Sequence, residues 1–253
     1  MRSLILLGVL AGCMSAILES PYVLSTGLGD VHSVAPTGAN TMLVATSKGA
    51  YEIDGKGAAQ TLTTTPATAV TAHPTVRYVV DAKGILALDG EARLEREGIA
   101  DAQAWCDESV LFTAESAIWQ WDPATGQTRI WAEGFSDLSA LSLATEAKCE
   151  SVLALDGDRA LRVWAAQREV LASDLADAKA LATDGLGVLH ALSGTPPTLL
   201  RYVDETWQPI ARKLDGATDL HFGFGGSFPR ENLYLTGKGS LDYLRPPPIS
   251  TPD

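Results

Sequence analysis

After residue 20 the chain alternates short apolar runs with clusters of Gly, Pro, Asn, Asp and Ser. Residues 31–35, 42–46, 51–54 and 60–63 are such runs, separated by the turn-forming stretches 36–40 (PTGAN), 47–49 (SKG) and 55–57 (GKG). Short runs bounded by turn residues predict strands, and no long apolar stretch of helical period follows the N-terminus. Later runs fall into the same grouping, at 69–72, 77–80, 84–88 and 93–96, then 102–105, 110–114, 117–121 and 128–132. They continue at 138–144, 151–155, 161–164 and 169–172, then at 178–183, 188–192, 199–203 and 208–212.

The grouping repeats around a phrase. Residues 22–35 (YVLSTGLGDVHSVA) read as a strand, a Gly-containing turn, an Asp and a second strand, and related phrases stand at 94–105, 130–141 and 170–181. In each, an apolar residue precedes an Asp by seven positions: Val23 and Asp30, Leu94 and Asp101, Ile130 and Asp137, Val170 and Asp177. Units begin at Asp30, Pro66, Asp101, Asp137, Asp177 and Asp219, at intervals of 36, 35, 36, 40 and 42 residues. Units of this length with three or four strands predict the blades of an all-β propeller, with a solenoid as the alternative. The sixth unit offers runs at 220–224, 232–236 and 240–244 before Arg245-Pro246-Pro247-Pro248, and proline cannot continue a strand ladder. That unit is one strand short, while residues 22–25 form a strand with no unit of their own. Pairing the two would close a ring and remove two exposed edges. The expectation is a six-bladed β-propeller over 21–245, followed by a Pro-rich tail, 246–253.

Residues 1–12 carry one positive charge and a short apolar run (LILLGVLAG), the form of a signal peptide and too short to span a bilayer. Leu10-Ala11-Gly12-Cys13 looks like the lipobox of bacterial lipoproteins. That resemblance implies acylation of Cys13, a tether over 13–20 and anchoring to a membrane. With Met14 after the Cys, it implies the outer membrane in a Gram-negative cell. An ordinary secretory signal with an incidental Cys is the alternative. Cys106 and Cys149 remain, in the matching contexts CDESVL and CESVL, and an exported chain makes them a candidate disulfide.

The last unit carries a Phe-Gly-Gly segment (224–226), a Leu-Tyr-Leu-Thr strand (233–236) and a Ser-Leu-x-x strand (240–243). It resembles the last blade of regucalcin/gluconolactonase propellers, and residues 23–34 resemble the opening of that superfamily and of NHL-repeat propellers. The resemblance implies a divalent cation at the channel mouth, Ca²⁺ or Mg²⁺, held by acidic residues. The corresponding positions are Asp30, Asp137 and Asp177, with Asp in place of the family's Glu and Asn. The Asn-Gly and Ser-Pro-Asp signatures of the active enzymes are missing from the sequence.

The Asp residues that open the units allow two readings. Converging on an axis, they would need a cation to relieve their repulsion; lying in turns, they would cap backbone N–H groups. Asp30-Val31-His32 and Asp219-Leu220-His221 repeat an Asp-x-His pattern that closure would bring into one sector, a possible general base or metal site. Trp119, Trp121, Trp131 and Trp164 are expected mainly between blades. A net charge of −12 disfavours nucleic acid and anionic lipid head groups as surface partners. No phosphate loop, nucleophile elbow or Cys-x-x-Cys pair is present. The expected function is a lipid-anchored binding or scaffolding module for an envelope protein or carbohydrate. The alternative is a metal-dependent lactonase or ester hydrolase.

Overall fold

The computed structural model describes residues 21–37, 40–143, 150–165 and 167–247, where all strands and helices found are strands. Cys13 with the leader and tether, Cys149, and the tail beyond Pro247 lie outside the described residues.

The strands run in sequence order through successive antiparallel sheets. The first group is β1 (Tyr22–Pro36), β2 (Thr41–Thr46), β3 (Gly49–Asp54) and β4 (Ala59–Thr63). The second is β5 (Ala67–His73), β6 (Val76–Asp81), β7 (Gly84–Ala87) and β8 (Arg93–Glu95). The third is β9 (Ala102–Ala104), β10 (Val110–Ala114), β11 (Ala117–Trp121) and β12 (Thr128–Glu133). Then come β13 (Leu138–Leu143), β14 (Val152–Asp156), β15 (Arg159–Trp164) and β16 (Gln167–Ala172). The fifth group is β17 (Ala180–Thr183), β18 (Leu189–Ser193), β19 (Thr198–Val203) and β20 (Thr206–Ala211). Last are β21 (Leu220–Phe222), β22 (Leu233–Thr236) and β23 (Lys238–Leu244).

Four of these groups are separate four-stranded sheets, and the first and last join as one seven-stranded sheet, β21-β22-β23-β1-β2-β3-β4. No sheet closes on itself. The joint is β1, which is a single strand where a strand, turn and strand were expected. Its first part pairs with β23, from Tyr22 opposite Tyr243 to Asp30 opposite Lys238, and its second pairs with β2, from Val31 to Pro36. The register slips between Thr26 and Asp30, where Gly27 and Gly29 take φ of 77° and 89°. Glycine tolerates that conformation, so the strand turns its edge from one partner to the next without a break.

The first strand of each group lies innermost, and these strands touch in a cycle: β1 with β5, β5 with β9, β9 with β13, β13 with β17, β17 with β21, and β21 with β1. Between sheets the apolar faces meet in local cores. One contains Tyr78, Phe112 and Trp121, another Leu153, Leu155 and Leu189. Trp121 is 1% exposed and meets Tyr78 of the neighbouring sheet edge to face, with ring centres 6.2 Å apart. Trp131 packs on Trp105 in the same way, and Trp119 lies under the Arg96 guanidinium at 4.1 Å. These tryptophans serve packing between and within sheets, as expected.

Candidate functional site

An inner strand pairs on one edge only, so its other edge presents unpaired N–H groups toward the centre. Polar side chains of the preceding inner strand take up several of them. Asp219 Oδ2 accepts Val34 N–H of β1 at 2.9 Å, and Ser33 Oγ accepts Val70 N–H of β5 at 3.4 Å. Thr71 Oγ1 accepts Ala104 N–H of β9 at 2.7 Å, and Asp101 Oδ2 accepts Leu141 N–H of β13 at 2.7 Å. Each buried N–H left without a partner would cost about 1–3 kcal/mol, so this lacing binds adjacent sheets.

Asp101 and Asp219 are built alike. Besides the bond to the next strand, Asp101 Oδ1 accepts its own following N–H, from Ala102, at 2.8 Å, as Asp219 Oδ1 does from Leu220. Both are partly buried. Burial drives the Asp101 carboxyl up to about 7, aided by the charge of Asp219 and opposed by its two backbone donors. Burial also raises Asp219, against hydrogen bonds from Val34, Leu220 and Ser33. Asp101 thus senses the charge of Asp219, although the two open sheets three apart in the cycle.

Asp30, Asp137 and Asp177 fare differently. All three are exposed, and among the described residues no three His, Cys, Asp or Glu side chains group closely enough to hold a metal ion. The structure does not bring the expected cation ligands together: Asp30 lies within β1, where it changes partners, and Asp137 and Asp177 precede β13 and β17 of two other sheets, with their carboxylates outside the lacing. The backbone N–H of Asp30 donates to Ser47 Oγ and its carbonyl accepts Ser47 N–H. The Asx-type capping foreseen for these residues is carried out by others, including Asp54, Asp122 and Asp184 in the hairpin turns.

The cavity opens at the other end of the inner strands. Its volume is about 370 Å³, and every inner strand contributes its C-terminal end or the residue after it: Pro36, His73, Trp105, Leu143, Thr183 and Phe222. Asp30, Asp137 and Asp177 lie five residues before Ala35, Ser142 and Ala182 of the same wall, or about 16 Å of extended chain. Trp105, Phe222 and Leu143 make the wall chiefly apolar, with Thr71, Gln103, Ser142 and His221 as polar points. Among the described residues, no Asp, Glu, Lys or Arg lines it.

His221 is the residue of chemical interest in that wall. Strand alternation puts it on the same side of β21 as Asp219, and the two interact electrostatically. Burial nevertheless holds the imidazole below its ordinary pKa. Its Nδ1 lies 2.7 Å from the Phe222 carbonyl oxygen. The other Asp-x-His pair does not join it: Asp30 is exposed, and among the described residues the hydrogen bond of His32 to this sector is made by its carbonyl, which accepts the Thr218 hydroxyl at 3.0 Å. His190, an apolar-strand histidine without an assigned role, is buried beside Phe222, and burial lowers its pKa to about 4. Cys106, also in the cavity wall, is disulfide-bonded, and the expected partner Cys149 lies outside the described residues.

No sequence-family model matches the chain, and no curated protein matches it in sequence. Solved structures do match. A gluconolactonase from Xanthomonas campestris, described as important in glucose secondary metabolic pathways, superposes with a TM-score of 0.70 over 89% of both chains at 14% identity. A second protein assigned to the gluconolactonases gives 0.66 at 11% identity, covering 89% of this chain and 91% of the other. A streptogramin B lyase gives 0.57 at 9% identity, covering 88% and 96%. At these identities the likeness is one of fold: an all-β, propeller-like arrangement of sheets.

Proposed function

We propose that this chain is a lipid-anchored envelope protein, a six-bladed ring clasped by β1, that binds a small molecule in its axial cavity rather than hydrolysing one with a metal ion. The observation that carries the reading is the convergence of all the inner strand ends on one apolar cavity with a few polar points, the ordinary form of a small-molecule site. The cyclic contacts of the inner strands and the sharing of β1 support the ring. The short leader ending in Leu10-Ala11-Gly12-Cys13 supports the anchor.

Metal-dependent lactone hydrolysis is the second reading, favoured by the names of two structural neighbours. A catalytic Ca²⁺ or Mg²⁺ would need several oxygen ligands on one point. Asp30, Asp137 and Asp177 do not supply them, so no hydrolytic step is built on such an ion.

Binding of naphthalene-sized ring compounds to the mature protein, measured by calorimetry, tests the main reading. They should bind, and Ala182→Phe, which fills the cavity from β17, should abolish binding. No binding by any of them, or binding untouched by the filled cavity, refutes it. Turnover of a sugar lactone that requires Ca²⁺ or Mg²⁺ would establish the second reading instead. For the anchor, Cys13→Ser should release the protein from membranes.

A further inference from the structure

We propose that the axial cavity selects a neutral, ring-shaped ligand that donates an O–H or N–H hydrogen bond to Nε2 of His221. The proposal rests on the cavity being a binding site and adds the class of molecule it takes.

The first support is the tautomer of His221. A carbonyl oxygen can only accept, so the 2.7 Å contact between Nδ1 and the Phe222 carbonyl requires the ring proton on Nδ1. Nε2 then carries a lone pair and can only accept. No described group donates to it, although the ring lies in the cavity wall. Unlike Nε2 of His190, it is not sealed from solvent, so a ligand entering the cavity can reach it and donate to it in place of water. Burial holds the imidazole below its ordinary pKa, so the neutral form persists at neutral pH.

The second support is the rest of the wall. Trp105 and Phe222 offer flat apolar surface of the kind on which a ring packs, and the 60%-exposed Phe224 stands at the rim. The amide nitrogen of Gln103 is engaged by Thr71 and the Ala104 carbonyl, which leaves its oxygen as a further acceptor. The described wall has no Asp, Glu, Lys or Arg, and its His73 is already hydrogen-bonded to Thr75, so neither a carboxylate nor an ammonium ligand would find a fixed counter-ion there to offset its desolvation.

Four naphthalene probes separate the possibilities by calorimetry at pH 7: 2-naphthol, 2-methoxynaphthalene, 2-naphthoate and 2-naphthylmethylammonium. They share the ring and differ in being a neutral donor, a neutral acceptor, an anion and a cation. The naphthol should bind at least tenfold more tightly than each of the others. In His221→Phe the naphthol should fall to the level of the methyl ether, whose own affinity stays put. In His221→Gln, which keeps an acceptor in that region, the preference should survive in part. The comparison of probes on the unaltered protein stands even if a variant fails to fold. Equal binding of naphthol and methyl ether, or tighter binding of either ion, overturns the donor-to-His221 proposal while leaving the cavity a binding site. Binding of none of the four overturns the binding-site reading itself.

Discussion

Replacing Asp101 by Asn should reveal the cost of holding a carboxylate beside the axis. In the folded protein this group has a pKa of about 7, against 3.8 ordinarily, chiefly because burial penalises its charge. At about 1.4 kcal/mol per pH unit, that difference corresponds to about 4 kcal/mol. The sign follows from proton counting. Between pH 4 and 7 the folded state holds a proton that the unfolded state has lost, so stability falls as pH rises. Below pH 4 both states are protonated and the full contribution is present; above 7 both are ionised and it is gone. Asp101 keeps some accessible surface, so screening by solvent makes about 4 kcal/mol an upper figure.

The unaltered protein would hide much of this effect. Burial lowers His190 to about 4, so its contribution to stability is present above pH 6.5 and is lost as pH falls toward 4. Over that interval it amounts to about 3 kcal/mol of opposite slope. The clean measurement is therefore the difference between Asp101→Asn and the parent, from urea unfolding at several pH values between 4 and 8. At pH 4 the variant should be the less stable, having lost one of the two backbone bonds to Leu141 and Ala102. By pH 8 the difference should have moved in its favour by 2–4 kcal/mol, about half to all of the upper figure. A difference that changes by less than about 1 kcal/mol across the range would refute the assignment of a burial cost to this carboxyl.

Three other outcomes are expected. His190→Leu removes one opposing slope while His221 keeps another, so the stability of the variant relative to the parent should fall by up to about 3 kcal/mol from pH 4 to pH 7 in the same unfolding assay; a difference that does not change with pH would show that His190 does not titrate in this window. In Gly84→Ala, φ of +137° and a Cβ placed 1.9 Å from the Leu94 carbonyl should cost about 3 kcal/mol or more, and Gly49→Ala, with φ of +141° and the Thr63 carbonyl at 2.0 Å, should cost a similar amount. An unchanged melting temperature in either would contradict the close packing of those hairpins. Deleting residues 22–25 removes the strand that covers β23 and should cost about 3 kcal/mol in ladder bonds while promoting self-association, visible by light scattering; a monodisperse product of parental stability would sink the clasp.

The sheet order was legible because it follows from periodic facts: a unit length, turn residues, and prolines after 244 that leave the last unit a strand short. The Gly-containing segment was read as a turn because Gly27 and Gly29 carry turn chemistry. In the fold the same positive φ values serve a strand that changes partners, a choice made by β23 and β2 rather than by the segment itself.

The site was less legible, for a related reason. The spacing that relates Asp30, Asp101, Asp137 and Asp177 is identical, yet only Asp101 of these accepts an N–H from the next inner strand, joined in that role by Asp219. Spacing within a unit fixes where an Asp stands on its own strand. Whether its carboxylate is laced inward depends on the backbone of the next sheet, which that spacing does not encode. The cavity shows the same separation more sharply. Its walls take a residue or two from the far end of each inner strand, and those residues share no motif: a Pro, a His, a Trp, a Leu, a Thr and a Phe. Ligand surfaces assembled one strand at a time leave no periodic trace, whereas the Asp-x-His at 219–221 left one because the lacing carboxylate and the cavity imidazole sit two residues apart on a single strand face. That short span is where structure-holding and cavity-facing chemistry meet.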